Sequence, residues 1–232
     1  MPKNENLLDN PILGALLTDH KKWALGAGPA RRFIPEVGPL SGIPDQAMAS
    51  YEALRTLAGS GGVVGLFLPH LPAPPQGWTL VRGGLISQMI CTAPESEERA
   101  RNATMPIRQL NADDVPAMLA LTELTEPGPF RTRTHELGKF YGVFESDRLL
   151  AMAGQRLSLP GFVEVSAVCT HPDARGRGYA RALMSAVMRD IRQRGRIPFL
   201  HAFADNPAIR IYESLGFRLR RTFHLAVLKN EG

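Results

Sequence analysis

The sequence predicts an α/β protein of the α+β type, in which helices flank a mixed, mostly antiparallel central sheet. Short segments rich in β-branched and aromatic residues indicate strands, and segments with apolar residues every three or four positions indicate helices. Two predicted strands, residues 140–144 and 148–157, are separated only by Glu145-Ser146-Asp147 and therefore predict a hairpin. A glycine-rich run, residues 171–180, connects a later predicted strand to an amphipathic helix.

Before the hairpin, the sequence predicts one strand and one helix. The strand spans residues 105–109, and the helix spans residues 111–121 with Asn111 as its N-cap. Asp113 and Asp114 lie in the first turn, where acidic side chains are favoured by the helix dipole.

After the hairpin, a turn at Pro160-Gly161 leads into a long strand over residues 162–169. A helix follows the glycine-rich run, and Gly195 ends it. Residues 218–228 contain alternating apolar positions and are predicted to form the closing strands.

The glycine-rich run predicts a binding site for a pyrophosphate group. Gly176 and Gly178 remove side chains where a backbone must approach a ligand closely. The first amides of the following helix have no partner in the helix, and the helix dipole favours an anion beside them. Arg175, Arg177 and Arg181 add positive charge. The run lacks the third glycine of the dinucleotide-binding fingerprint and the Gly-Lys-Ser/Thr of a P-loop. A turn without ligand remains the alternative.

A second motif, residues 206–217, is predicted to be a short helix that follows an apolar strand over residues 199–204. Asn206 is its expected N-cap, Pro207 occupies the first position, and Gly216 ends it. Tyr212 lies in the middle of this helix.

Together, the Arg-x-x-Gly-x-Ala pattern of Arg175, Gly178 and Ala180 and the Asn206…Tyr212…Gly216-Phe217 helix resemble the GNAT superfamily of acyl-CoA-dependent N-acetyltransferases. The resemblance covers residues 104–229 and implies the GNAT fold, in which two neighbouring strands separate and admit the pantetheine arm of the cofactor. It also implies acetyl-CoA as the co-substrate, with no metal. The implied cofactor-binding residues are Val168, Cys169, Thr170, Arg175, Gly176, Arg177, Gly178, Tyr179, Ala180, Arg181, Asn206 and Tyr212.

The resemblance also suggests which groups catalyse acetyl transfer. Backbone amides of residues 168–170 would polarise the thioester carbonyl, and Tyr212 would protonate the departing sulfur of CoA. Tyr212 could instead be a core aromatic residue. Asn206 would contact the pantetheine arm, a role compatible with capping the helix.

Glu164 is the candidate general base, because it is an acid within an otherwise apolar strand. Partial burial would raise its pKa toward neutrality, whereas at a strand edge its carboxylate would face solvent. His171 and His201 are alternative bases, although His171 lies in a His-Pro-Asp turn with a structural explanation. Cys169 is expected to be a packing residue rather than a nucleophile.

The first hundred residues have a less specific pattern. Helices are predicted at residues 10–17 and 47–57, strands at 62–68 and 78–91, a stiff proline-rich loop at 69–75 and a polar linker at 92–102. We therefore expect two units: residues 1–103, an α/β half that could be a degenerate GNAT-like subdomain, and residues 104–232, the catalytic domain. The N-terminal half resembles the arrangement in glycine N-acyltransferases. It would cover a sheet edge and shape the acceptor pocket, or form a homodimer contact.

Composition narrows the function further. The formal net charge of +5 could indicate nucleic acid, but the arginines cluster around the proposed CoA site, and no recognised nucleic-acid motif is present. No segment is apolar and long enough to span a membrane, and no signal-peptide pattern begins the chain, so we expect a cytoplasmic protein.

The prediction is an acyltransferase that acetylates a primary amine of a small molecule or peptide. The loop formed by residues 122–135 is expected to line the acceptor site. A non-catalytic acyl-CoA-binding or regulatory protein is the main alternative.

Overall fold

The computed structural model describes residues 4–71, 73–93 and 105–232. Its α-helices are α1 (Pro11–Leu17), α2 (Met48–Ala58), α3 (Val115–Thr125), α4 (Tyr179–Gln193) and α5 (Ile209–Ser214). Its strands are β1 (Ala24–Leu25), β2 (Arg31–Phe33), β3 (Ser41–Gly42), β4 (Val63–Leu68), β5 (Trp78–Ile90), β6 (Ile107–Leu110), β7 (Phe140–Glu145), β8 (Arg148–Leu159), β9 (Phe162–Thr170), β10 (Ile197–Phe203) and β11 (Arg218–Asn230). Among the described residues, no helix is both long and apolar enough to cross a membrane.

Eight strands form one sheet in the order β4-β11-β5-β10-β9-β8-β7-β6, and β1–β3 form a separate small sheet. Every neighbouring pair in the large sheet is antiparallel except β9 and β10, which are parallel. This architecture confirms the predicted fold class. The β7–β8 hairpin and the positions of β4, β5 and β9 also agree with the predicted segments.

Helices cover both faces of the large sheet because β9 is apolar on both faces. Val163 and Val165 face the buried side of α4 together with Tyr212 of α5. Phe162, which points to the opposite face, packs with α1 and the small sheet. On that same face α3 packs over Met152 of β8, whereas the adjacent Ala151 and Ala153 face α4. The core therefore consists of two layers separated by the sheet.

The helix that follows the glycine-rich run is the most strongly patterned one in the chain. α4 buries Leu183, Met184, Val187, Met188 and Ile191 along one side. Gly178 precedes it with φ 80° and Gly195 follows it with φ 68°. Both glycines adopt the left-handed conformation that other residues adopt only at a cost.

Three predicted elements differ from the structure. α5 begins at Ile209, later than predicted, and the side chain of Asn206 accepts a hydrogen bond from the Ala208 amide at 2.8 Å in the turn before it. Residues 218–230 form the single strand β11, because β5 extends alongside almost its whole length. The helix predicted at residues 111–121 begins as a 3₁₀ turn at Ala112–Asp114, with a reciprocal capping box between Asn111 and Asp114, and continues as α3 to Thr125.

The sheet joins the two predicted units of the chain. β5 lies between β10 and β11, and β4 pairs with the outer edge of β11. Most of the predicted linker falls in residues 94–104, outside the described residues, as does residue 72 of the proline-rich loop. The boundary at residues 103 and 104 remains a prediction, and the strands on its two sides share one sheet.

Candidate active site

The sheet opens at the junction of its two parallel strands. β9 and β10 pair only from Ile197↔Phe162 to Phe199↔Glu164. Beyond this point β10 stays paired with β5 as far as Phe203↔Ile86, whereas β9 continues along β8 to Thr170. The two strands therefore separate after Glu164 and leave a gap between their carboxyl ends.

The wall of the gap formed by β9 contains a β-bulge. Gly154 of β8 opposes Ser166, but Met152 opposes Cys169, so Ala167 and Val168 together face a single residue of the partner strand. Ala167 has φ 51°, an uncommon conformation for a residue with a side chain. Residues 166–168 are partly exposed in a strand that is otherwise mostly buried. The bulge thus lies beside the gap, and at Val168 it overlaps residues 168–170, whose backbone amides the family resemblance assigns to carbonyl polarisation.

The glycine-rich run follows β9 and ends at the start of α4. Gly176 and Gly178 have φ values of 78° and 80°, and open space surrounds the position that a Cβ atom on Gly176 would take. The first amides of α4 have no hydrogen-bond partner within the helix, and Gly178 has no side chain that could cap them. This geometry suits an anion such as pyrophosphate.

The arginines of the run have different surroundings. Arg177 donates to the Asp173 carbonyl at 3.2 Å and lies 3.6 Å from the Glu145 carboxylate. Arg181 donates to the Ser214 hydroxyl at 2.7 Å and so connects α4 to α5. This hydrogen bond joins the helix that follows the glycine-rich run to the helix that carries Tyr212.

Tyr212 lies on the buried side of α5, the helix that follows β10 and so adjoins the other wall of the gap. Only 8% of the residue is exposed, and its ring packs against Phe217 with centroids 6.4 Å apart. Burial raises the pKa of Tyr212, because the phenolate would lose its hydration. The phenol is therefore protonated at neutral pH and can act as a proton donor.

Glu164 has an environment that the sequence did not indicate. Its side chain is fully buried, and Arg156 donates to its two oxygens from Nε at 2.8 Å and from Nη2 at 2.7 Å. Burial alone would raise its pKa, but the Arg156 charge and the hydrogen bonds from Arg156 and His201 lower the pKa to about 2. The expectation of a raised pKa is thus wrong, because the sequence did not reveal the cation beside this carboxylate.

His201 belongs to the same buried network. Its Nδ1 lies 2.7 Å from Glu164 Oε1, and its Nε2 lies 3.1 Å from Gln88 Nε2. The rings of Phe67 and Phe199 lie 4.6 and 5.6 Å from its ring. Burial lowers the pKa of His201, so the imidazole is neutral; Nδ1 then donates to Glu164, and Nε2 accepts from Gln88.

The network continues to the N-terminal segment. Gln88 donates to the Leu8 carbonyl at 2.9 Å and accepts from Arg220 Nη1 at 3.0 Å. Arg220 also donates to Glu5 at 3.0 Å. Sequence reasoning missed Arg156 and Gln88, and it placed Arg220 among the arginines around the CoA site, whereas Arg220 binds Glu5, Asp9 and Gln88. Glu164 was noticed because it is a polar residue within an apolar strand. The same signal could have identified Arg156 and Gln88.

The other two candidate residues have structural roles. The His171 ring accepts a hydrogen bond from the Asp173 amide at 3.2 Å and so caps the turn that follows β9. Cys169 is buried, and burial raises the pKa of its thiol to about 11, which keeps it protonated.

Comparisons with known proteins identify the family and the fold of this chain. The family described as FR47-like protein matches residues 140–225, which include the gap, the glycine-rich run and α5. A crystal structure of a protein from Novosphingobium aromaticivorans DSM 12444, assigned to the GNAT family of acetyltransferases, is 37% identical. The match covers 97% of this chain and 99% of that one, with a TM-score of 0.86.

More distant structures share the fold. A GCN5-related N-acetyltransferase from Kribbella flavida is 17% identical over 100% of this chain and 97% of that one, with a TM-score of 0.63. A GCN5-related N-acetyltransferase-like protein from Streptococcus suis 89/1591 is 13% identical over 88% and 84%, with a TM-score of 0.57. The search of curated proteins finds no match. From the separated parallel strands, the glycine-rich run and the full-length similarity at 37% identity, we conclude that this chain belongs to the GNAT family of acetyltransferases.

Proposed function

We propose that this protein is an N-acetyltransferase that moves an acetyl group from acetyl-CoA directly to a primary amine of a small molecule or peptide. The observation that carries the proposal is the position of the Ala167–Val168 bulge, which exposes strand backbone beside the gap between β9 and β10. The glycine-rich run begins a few residues later, so one extended thioester could have its pyrophosphate at α4 and its acyl group at the bulge.

The residues suit the proposed cofactor. A diphosphate needs N–H donors and positive charge without steric obstruction, and the left-handed glycines, the start of α4, Arg177 and Arg181 supply these. Arg175, Tyr179 and Ala180 adjoin them in the chain, and Val168, Cys169 and Thr170 lie at the bulge and just after it. Asn206 and Tyr212 belong to the segment that follows the opposite wall.

The reaction follows from this arrangement. The neutral amine nitrogen attacks the thioester carbon, while strand amides at the bulge stabilise the negative charge that develops on the carbonyl oxygen. The C–N bond forms, the C–S bond breaks, and the Tyr212 phenol gives its proton to the CoA thiolate. The proton released by the amine passes to a base or to water and then restores the phenol.

The identity of the base is a separate part of the proposal. Glu164 remains the predicted base, but a pKa of about 2 makes it a weak one at neutral pH. His201 is neutral, yet its Nε2 lies against Gln88 in a buried network. Proton loss to water is therefore the simplest alternative. Steady-state kinetics of Glu164→Gln separate Glu164 from water: a fall in kcat of about 10²-fold or more, with acetyl-CoA binding retained, would identify Glu164 as the base.

The first experiment is a calorimetric titration of acetyl-CoA into the wild type, Gly178→Glu and Gly195→Glu. Both glycines flank α4 with similar positive φ, so either substitution should cost roughly 1–2 kcal/mol of stability. We expect micromolar binding to the wild type and to Gly195→Glu, and no binding to folded Gly178→Glu, because the new carboxylate repels the pyrophosphate. Equal binding by the two variants would contradict the cofactor site.

The low pKa of Glu164 favours one second candidate, a non-catalytic acyl-CoA-binding protein on the same fold. A screen of amines for release of the CoA thiol distinguishes the two functions. Acetyl-CoA binding without amine-dependent thiol release would support the second candidate.

A further inference from the structure

A row of hydrogen-bonded side chains crosses five neighbouring strands at the closed end of the gap. The strands are β8, β9, β10, β5 and β11, which are consecutive in the sheet. In the same order, the side chains of the row are Arg156, Glu164, His201, Gln88 and Arg220, each hydrogen-bonded to the next. The row lies on the face of the sheet that packs against the N-terminal segment, since Gln88 also donates to the Leu8 carbonyl at 2.9 Å.

Both ends of the row come from irregular places in the strands. On β8, Arg156 and Leu157 together face Glu164. On β11, Arg220 is the extra residue of a register shift next to Gln88. A β-bulge changes the direction of a side chain, so each arginine can point along the row instead of following the regular alternation of its strand.

The central hydrogen bond of the row joins the two strands that separate. The ladder between β9 and β10 ends at the pair Phe199↔Glu164. His201 lies two residues further along β10, and its Nδ1 donates to Glu164 Oε1 at 2.7 Å. Arg156 binds the same carboxylate through Nε and Nη2 and so fixes its orientation. A side-chain hydrogen bond therefore connects the strands where their backbone pairing stops.

The imidazole is also held from its other side. Gln88 Nε2 lies 3.1 Å from His201 Nε2, and Gln88 Oε1 accepts from Arg220 at 3.0 Å. Arg220 in turn binds Glu5 at 3.0 Å and Asp9 at 2.8 Å. The N-terminal segment therefore anchors the end of the row that is remote from Glu164.

Burial makes the central bond costly to break. The side chains of His201 and Glu164 are 3% and 0% exposed, so water cannot replace a lost hydrogen bond to the carboxylate. The bulge at Ala167 and Val168 begins three residues after Glu164, roughly 10 Å along β9. A change in the point at which the strands separate would therefore move the backbone at the bulge.

We propose that His201 is a positioning residue for acetyl transfer: its hydrogen bond to Glu164 fixes the point at which β9 and β10 separate and so holds the bulge in place beside the thioester. This role rests on the proposed function. Glu164 and Arg156 anchor the bond, and Gln88 orients the imidazole.

Two substitutions of His201 separate the hydrogen bond from the packing of the ring. The side-chain nitrogen of asparagine is as many bonds from Cα as Nδ1 of histidine, so His201→Asn retains a donor to Glu164 but loses the ring. His201→Phe retains a ring beside Phe67 and Phe199 but has no donor. Urea unfolding should therefore show His201→Phe to be at least as stable as His201→Asn, which leaves a cavity.

The order of activity should be the reverse of the order of stability. In His201→Phe, kcat should fall at least about tenfold, since a misplacement of about 1 Å can cost about 10²-fold. His201→Asn should recover most of the lost kcat. The dissociation constant of acetyl-CoA should change little in both variants, because the glycine-rich run is unaltered. A kcat that followed stability, or that kept its wild-type value in folded His201→Phe, would refute the positioning role.

Two further measurements do not require activity. NMR of nitrogen-labelled histidine at neutral pH should show the Nδ1–H tautomer of His201, with a signal that His201→Phe removes; the Nε2–H tautomer or a charged imidazole would overturn the assigned bond. In His201→Phe, amides of the β9–β10 ladder, residues 162–164 and 197–199, should exchange hydrogen at least about tenfold faster, as expected when a hydrogen bond to a charged group is lost. The β6–β7 ladder is the control, and equal acceleration there would contradict a local effect.

These outcomes separate the inference from the proposed function. If no amine is acetylated but the tautomer and exchange results hold, the proposed function falls and the connection that fixes the gap stands. If amines are acetylated and His201→Phe keeps the wild-type kcat, the positioning role alone is wrong.

Discussion

Tyr212 and Glu164 are both buried, yet their surroundings move their pKa values in opposite directions. Tyr212 lies in an apolar cluster, and burial therefore favours its neutral form. Glu164 is more deeply buried but contacts Arg156 and His201, so its charged form is the stable one. Burial by itself does not determine the protonation state of a residue; the neighbouring charges and hydrogen bonds decide it.

Tyr212→Phe tests the proposed proton donor. Loss of the hydroxyl should lower kcat by about 10²-fold or more, because the thiolate would leave without a proton. The dissociation constant of acetyl-CoA should change little, since the ring remains in place. Steady-state kinetics across pH and calorimetry measure both quantities.

Tyr141→Phe is the matched control, because burial also raises the pKa of Tyr141, which lies on β7 away from the gap. It should retain wild-type kcat. An unchanged kcat and pH profile in Tyr212→Phe would exclude this tyrosine as the acid.

At the scale of the element, β9 combines a regular buried half with an irregular half beside the gap. Residues 162–165 are buried, and the extra residue of the register shift in this half belongs to β8, where Arg156 and Leu157 together face Glu164. The bulge at Ala167 and Val168, by contrast, lies in β9 itself. Ala167 adopts a left-handed φ that an alanine takes at a cost of roughly 1–2 kcal/mol. Such strain is often found at functional sites, where it directs backbone groups toward a ligand.

Substitutions at Ala167 should therefore affect stability in an unusual way. Ala167→Gly should leave the free energy of unfolding unchanged or raise it by up to about 1 kcal/mol, since glycine tolerates this φ. Ala167→Val should lower both stability and kcat, because a β-branched residue fits this conformation poorly. Urea unfolding and steady-state kinetics measure these effects.

Ala151→Gly on β8 provides the comparison. This alanine is fully buried in the core that faces α4, so its replacement should destabilise the protein by about 1 kcal/mol. If Ala167→Gly lost as much stability as Ala151→Gly, the strain assigned to the bulge would be refuted.

At the scale of the whole molecule, the N-terminal half completes the sheet. β5 pairs with β10 on one side and with β11 on the other, and Gln88 on β5 connects Leu8, His201 and Arg220 through hydrogen bonds. The buried groups beside the gap therefore depend on residues far apart in the chain. Whether residues 1–103 derive from a degenerate GNAT-like half, as in glycine N-acyltransferases, remains a prediction.

This buried network predicts how stability depends on pH. Burial lowers the pKa values of His20 and His201 below 6.5, so the unfolded chain binds more protons than the native protein once the pH falls below about 6.5. The free energy of unfolding should then decrease as the pH falls, by at most about 1.4 kcal/mol per pH unit for each histidine. Glu164 also makes the free energy of unfolding decrease in acid, because its pKa is lower in the native protein. The stabilisation from this carboxylate is present above pH 4.5 and is lost as the pH falls toward 2.

Urea unfolding at several pH values between 8 and 4 measures this dependence. His201→Gln should reduce the slope below pH 6.5, because it removes one of the two buried imidazoles whose pKa is lowered. Stability that stayed constant or rose between pH 6.5 and pH 5 would contradict the assignment of buried neutral histidines.

The sequence by itself determined the fold class, the family resemblance, most of the long strands and helices, and the glycine-rich run with its helix. These features depend on local pattern: the β-branched and aromatic residues of β9, the apolar side of α4, and glycines where φ is positive. Only the tertiary structure revealed the position of β5 between β10 and β11, the bulge at Ala167, the small sheet β1–β3 and the environment of Glu164. Pairing between distant strands and the burial of Glu164 beside Arg156 and His201 arise from contacts between segments remote in sequence, and local patterns carry no information about them. The chemistry of the carboxylate was therefore decided by its neighbours in space.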